Sequence, residues 1–190
     1  MLTVSVSRNH RLHDPILTDI GKEQANSLLS DYPNLCPQVI FTSPLTRTLQ
    51  TTLLGFKKQL RGPNPPKIIV TPLLQECSNA PCDTGSDKKI LEKRFNVDGA
   101  EKAEFNSHGV ELDFSHIDDG VWNSKKGEWE SSTKALVIRA DKMRKLIKER
   151  PETEIAVVSH GGIIISLCLC FLTNRFSLLP DLRQRFFLQC

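Results

Sequence analysis

Short, uninterrupted apolar runs alternate with longer amphipathic stretches along most of this chain. Val39-Ile40-Phe41-Thr42 is a short, mainly apolar run, as expected of a strand buried on both faces. Lys67-Ile68-Ile69-Val70 and Ile155-Ala156-Val157-Val158 repeat that pattern. A helix is predicted to start at Thr18, a good cap, and to run to about Ser30, with Ile20, Ala25, Leu28 and Leu29 on its apolar face. Asp31-Tyr32-Pro33-Asn34 ends it. After the first strand, Ser43-Pro44 reads as an N-cap followed by proline at the first helical position. The helix behind it is expected from Leu45 to Leu60, stopped by Arg61-Gly62-Pro63. A further helix, residues 133–149, carries Leu136, Ala140, Met143 and Ile147 on one stripe and is closed by Pro151. Strands alternating with helices predict an α/β fold, a three-layer α/β/α arrangement around a mostly parallel sheet.

The regular pattern fails between about 77 and 132, where the chain turns polar and holds glycines, Asp pairs and both tryptophans, Trp122 and Trp129. Such a stretch within an α/β domain is expected to be an insertion, or lid, over the open end of the sheet. The tryptophans either close over a site there or anchor the insertion, and the second reading is preferred. Residues 1–190 are taken as one domain, a length that permits a sizeable core.

Composition narrows the functional classes. The net charge of +3 is small and no long basic run exists, so a nucleic-acid partner is not expected. Six cysteines lack a repeating spacing, and no signal peptide is read at the start; free thiols in a reducing, cytoplasmic (or also nuclear) setting are expected. None is followed six positions later by arginine, which argues against a cysteine-dependent phosphatase loop. The cysteine spacings also speak against zinc. Residues 155–172 are apolar enough to suggest a membrane helix, but Ser159-His160-Gly161-Gly162 interrupts them. A buried strand, a glycine turn and a buried helix explain the span better, so no membrane partner is expected.

Three residues then carry candidate chemistry. His160 follows the strand 155–158 and precedes Gly161-Gly162 and a helix start. Ligands in open parallel sheets bind beyond the carboxyl ends of strands, and glycines at a helix start let backbone N–H groups approach an anion. Arg47 lies in the first turn after strand 39–42, at the same sheet edge, where its planar fork suits phosphate oxygens. A plain surface ion pair is the alternative for it. Glu76 follows the strand 67–70 by a few residues, and a carboxyl there could protonate a leaving oxygen.

The contexts of these residues resemble those of the histidine phosphatase superfamily, in its fungal-type, phosphoglycerate-mutase-like members. Asp14-Pro15-Ile16-Leu17-Thr18-Asp19-Ile20-Gly21 with Gln24-Ala25 is similar to one family stretch, and Ser43-Pro44-Leu45-Thr46-Arg47-Thr48 with Gln50-Thr51 to a second. Leu74-Gln75-Glu76 with Pro81-Cys82-Asp83-Thr84-Gly85-Ser86 resembles a subgroup pattern, and Val157-Val158-Ser159-His160-Gly161-Gly162 the second histidine motif. The resemblance implies a phosphoglycerate-mutase-like fold and a phosphomonoester hydrolase working through a phosphohistidine, without metal or other cofactor. Arg47, His160 and Gly161 would then bind phosphate, and Glu76 would be the proton donor. The partner would be a small phosphorylated substrate or a phosphoprotein.

One family feature is not found. The Arg-His-Gly or Arg-His-Ala motif belongs well upstream of the Asp-Pro stretch, so its place falls at or before Met1. The first strand is therefore expected to be missing or altered, which would leave strand edges unpaired and a gap in the core. A rival reading makes residues 2–6 a strand, with Arg8 and His10 standing in for the motif. An inactive form that only binds phospho-ligands is accordingly kept beside the hydrolase.

Overall fold

The computed structural model describes residues 10–96, 109–118, 120–172 and 183–189. Its strands are β1 (Val39–Thr42), β2 (Lys67–Val70), β3 (Leu112–Asp113), β4 (Glu154–His160) and β5 (Arg183–Gln189). Its helices are α1 (Asp19–Asp31), α2 (Thr46–Gly55), the short α3 (Lys57–Leu60), α4 (Lys88–Phe95), α5 (Thr133–Lys148) and α6 (Gly161–Leu172). The strands form one sheet in the order β3-β2-β1-β4-β5, and each neighbouring pair is parallel.

Alternate residues of the three inner strands face opposite ways, as the pleat requires. Ile40, Ile68, Val70, Ala156 and Val158 pack with Leu49, Leu53 and Phe56 of the α2 side, and with Leu91, Phe95 and Trp122 of the stretch 77–132. Val39, Phe41, Ile69, Ile155 and Val157 pack with Ala140, Met143 and Ile147 of α5 and Leu167 of α6. Two apolar faces thus demand two helical layers, which is the three-layer arrangement expected.

The start of α2 differs from expectation. Leu45 is its cap residue and makes no side-chain cap bond, while Ser43 lies outside the helix. The N-terminus is satisfied from a distance. The Asp14 carboxylate, buried at 5% exposure, accepts from the Thr46 N–H and hydroxyl, each at 2.8 Å. It also accepts from the Ser86 N–H at 3.0 Å and hydroxyl at 2.7 Å. One anion therefore pins three separate stretches of chain at the positive end of a helix. The helix expected over 45–60 also breaks at Phe56, where α2 gives way to α3.

The stretch 77–132 holds more order than its polarity implied. It contributes α4 and the edge strand β3, and Trp122 is buried at 1% exposure against Gly85. Trp122 therefore serves as an anchor of this stretch rather than a cover.

The far edge of β4 corrects another expectation. Instead of standing unpaired, it is matched along its whole length by β5, from Glu154 beside Arg183 to His160 beside Gln189. That neighbour lies late in the chain, at Arg183–Gln189. The rival strand at 2–6 and Arg8 lie outside the described residues.

Candidate active site

The carboxyl ends of β1, β2 and β4 meet at one edge of the sheet. The Ser43 N–H donates to Val158 O at 3.1 Å and the Thr71 N–H to Thr42 O at 2.9 Å, which carries both ladders past the strand ends. A short 3-10 turn (Pro72–Leu74) follows β2, and the Ser159 hydroxyl donates to Leu74 O at 2.8 Å. These ties set Ser43 beside His160, while Glu76 lies over Gly162 at the start of α6.

His160 is the last residue of β4, not the residue after it, and is 1% exposed. Its burial does not turn it from the arginine. Nδ1 lies 3.2 Å from an Arg47 terminal nitrogen, and Nε2 lies 2.8 Å from the Ser43 hydroxyl. A guanidinium only donates, so Nδ1 accepts and Nε2 carries the proton, donating to Ser43. Burial first, then the positive charges of Arg47, Lys125 and Arg139, hold the imidazole pKa well below its ordinary 6.5. The ring is neutral at physiological pH. In this tautomer it cannot take a proton from Ser43, so a serine nucleophile with His160 as base is excluded.

A stability consequence follows with a definite sign. The unfolded chain takes up a proton at this histidine near pH 6.5, whereas the folded one does not. Stability is therefore complete above that pH and falls below it, by up to about 1.4 kcal/mol per pH unit. Urea unfolding at pH 7.5 and 5.5 is expected to show this loss, and His160→Gln to reduce it. An unchanged pH slope in the variant would disprove the assignment.

Arg47 makes two further contacts. One terminal nitrogen donates to Cys82 O, and the other reaches Asp83 Oδ1 at 2.9 Å. The Asp83 carboxylate is held in turn by the Ser78 hydroxyl at 2.6 Å. Arg47 and Asp83 are 12% and 16% exposed, so the pair is well shielded from solvent. The plain surface pair considered for Arg47 is thus not what the fold builds. His10 stands at the rim, exposed, with Nδ1 3.6 Å from Cys82 Sγ.

Glu76 is half-buried, and its carboxylate accepts from the Cys77 N–H at 2.7 Å. It lies over the start of α6: a Cβ on Gly162 would stand 2.5 Å from Glu76 Oε1 and 2.9 Å from Cys77 Sγ. Gly162 therefore permits this close approach, whereas Gly161 faces open space. Burial, with Glu76 adding to it, pushes the Cys77 thiol up to about 12. Cys77 is a protonated, unreactive neighbour rather than a nucleophile.

Two cations complete the cluster. Lys125 sits in a left-handed backbone conformation at φ 54 and donates to Glu76 O at 3.0 Å. Burial and Arg139 lower its pKa to about 8, against the pull of Asp83 and Glu76. Arg139 is fully buried and donates to Gln75 O at 3.3 Å, while its Nε and one terminal nitrogen find no acceptor among the described residues. The charges of three cationic side chains thus act on one neutral imidazole, and such a site favours an oxyanion. Among the described residues, no group of three or more His, Cys, Asp or Glu could hold a metal ion. A cleft of about 580 Å³ borders the β2 end, lined by Thr71, Leu73, His116, Lys126, Trp129 and Lys142 among others, but not by Arg47, Glu76 or His160.

Sequence reasoning missed Ser43, Asp83, Lys125 and Arg139 as members of this cluster. Asp83 stood inside a quoted motif without a role. Arg139 carried a faint signal, a cation between the apolar positions Leu136, Ala140 and Met143. Lys125 carried none. No helix among the described residues is long and apolar enough to cross a membrane, and the span 155–172 is β4 followed by α6.

Similarity to a probable phosphatase of Schizosaccharomyces pombe reaches 32% identity over 154 residues, covering 80% of this chain and 65% of the relative. The chain thus spans about two-thirds of that relative's length. Residues 5–186 match the histidine phosphatase superfamily, branch 1, and the chain belongs to that superfamily.

Proposed function

We propose that this chain is a phosphomonoester hydrolase of the histidine phosphatase type. Arg47 and His160 grip the phosphoryl oxygens in this reading, with the α6 N–H at Gly161 nearby. Glu76 delivers the proton to the leaving oxygen. The observation that carries it is the Arg47–His160 contact of 3.2 Å at the ends of adjacent parallel strands. A fixed guanidinium beside a neutral imidazole supplies donors where a phosphoryl group gathers charge. Small phosphorylated molecules and phosphoproteins are the substrate classes such a site admits.

A second reading, a domain that binds phospho-ligands without turning them over, is favoured by one observation. Both ring nitrogens of His160 are already engaged, one with Arg47 and one with Ser43. His10, at the rim beside Cys82, is the candidate acceptor if turnover occurs.

Hydrolysis of p-nitrophenyl phosphate and equilibrium binding of vanadate test both. Arg47→Ala is expected to weaken vanadate binding by about 100-fold, the loss of roughly two charge-assisted hydrogen bonds. Turnover abolished by His10→Ala would make His10 the phosphoryl acceptor. Binding without turnover would establish the second reading. Vanadate binding indifferent to Arg47→Ala would remove the phosphate site altogether.

A further inference from the structure

The fork of Arg47 is already filled. The Cys82 carbonyl, the Asp83 carboxylate and His160 take up its terminal nitrogens, and Asp83 is the one anion among them. That carboxylate is not a loose surface group. Oδ1 faces Arg47 at 2.9 Å, Oδ2 accepts from Ser78 at 2.6 Å, and the pair is nearly buried. Its attraction also reaches the Lys125 ammonium. Two oxygens of one anion thus sit between a guanidinium and a hydroxyl, with an ammonium near, as two oxygens of a bound phosphoryl group would.

We propose that Asp83 is a specificity-determining residue, an internal carboxylate that occupies the oxyanion position and yields only to a dianionic phosphomonoester. The inference rests on the phosphate reading of this site and adds what the site rejects. A monoanion, such as a phosphodiester or a carboxylate, exchanges one charge for one charge and leaves Asp83 displaced without recompense. A phosphomonoester dianion brings a second charge and a third terminal oxygen, which can draw on Lys125 as well as Arg47. Asp83 ends the 3-10 turn Pro81–Asp83, which has no buried residue and lies outside the sheet.

The test is direct binding of phenyl phosphate and dimethyl phosphate at pH 7.5 to the wild type, Asp83→Asn, Ser78→Ala and Arg47→Ala. Asp83→Asn keeps the shape of the side chain and removes its charge. It is expected to bind phenyl phosphate about 10-fold tighter than the wild type, and to bind dimethyl phosphate that the wild type excludes. Ser78→Ala, which loosens one anchor of the carboxylate, is expected to shift both ligands the same way by less. If Asp83→Asn binds phenyl phosphate equally or more weakly while Arg47→Ala abolishes binding, Asp83 merely orients Arg47 and this inference is overturned alone. If no variant binds either ester, the phosphate site itself is refuted and the inference goes with it.

Discussion

Asp14→Ala is expected to lower the unfolding free energy by about 3–5 kcal/mol, a large part of the roughly 5–15 kcal/mol typical of a folded domain. The carboxylate is buried and accepts four hydrogen bonds, two from Thr46 and two from Ser86. Alanine leaves two backbone N–H groups without an acceptor, each at a cost of about 1–3 kcal/mol, and removes the charge from the start of α2. The Thr46 hydroxyl also receives Arg94 at 3.0 Å, so the loss spreads to α4. Asparagine is no remedy, because its amide would turn a donor toward donors. Urea denaturation measures the effect, with Thr18→Ala as comparison. Thr18 caps α1 through a single exposed bond to the Gly21 N–H, worth about 1 kcal/mol. Should Asp14→Ala cost no more than Thr18→Ala, Asp14 is not the pin described above.

Gly85→Ala is expected to destabilise by about 2–4 kcal/mol, although it adds one methyl group. That methyl would lie 2.2 Å from Trp122 Cη2 and about 3 Å from Cζ2 and Cζ3. Trp122 cannot retreat, since its ring is packed among Leu91, Phe95, Phe114 and the sheet. Either the ring leaves its place and opens a cavity, or the backbone of Gly85 moves and draws Ser86 away from Asp14. The two routes are separable. Trp122→Phe removes the outer ring atoms, so the double variant is expected to be more stable than the sum of the single losses implies. Strict additivity would show that the clash is not the cause.

These positions show what the sequence made visible and what it did not. The strands at 39–42 and 67–70 were legible to the residue, because short runs dominated by apolar residues suit a buried parallel strand. Arg47 and His160 were legible for a related reason: each follows such a run, and the carboxyl edge of a parallel sheet collects whatever follows its strands. Ser43 was misread, since serine before proline is a sound local cap signal and the true cap is Asp14, far away in sequence. The helix α4 escaped notice because a lysine-rich segment buries only Leu91 and Phe95, too few to mark a stripe. Strand β5, Arg-Gln-Arg-Phe-Phe-Leu-Gln, neither alternates nor runs apolar, and only its pairing with β4 identifies it. Lys125 and Arg139 come to the Gln75–Glu76 backbone by tertiary packing alone, which no local pattern encodes.

The burial of Trp122 has a practical corollary. Both tryptophans of the chain fall within the polar stretch between β2 and α5, one enclosed and the other, Trp129, only partly covered. Their intrinsic fluorescence is accordingly a local gauge. A red-shifted emission would report release of this stretch even while far-ultraviolet circular dichroism still registered intact helices, and the protein would need no added dye to reveal it.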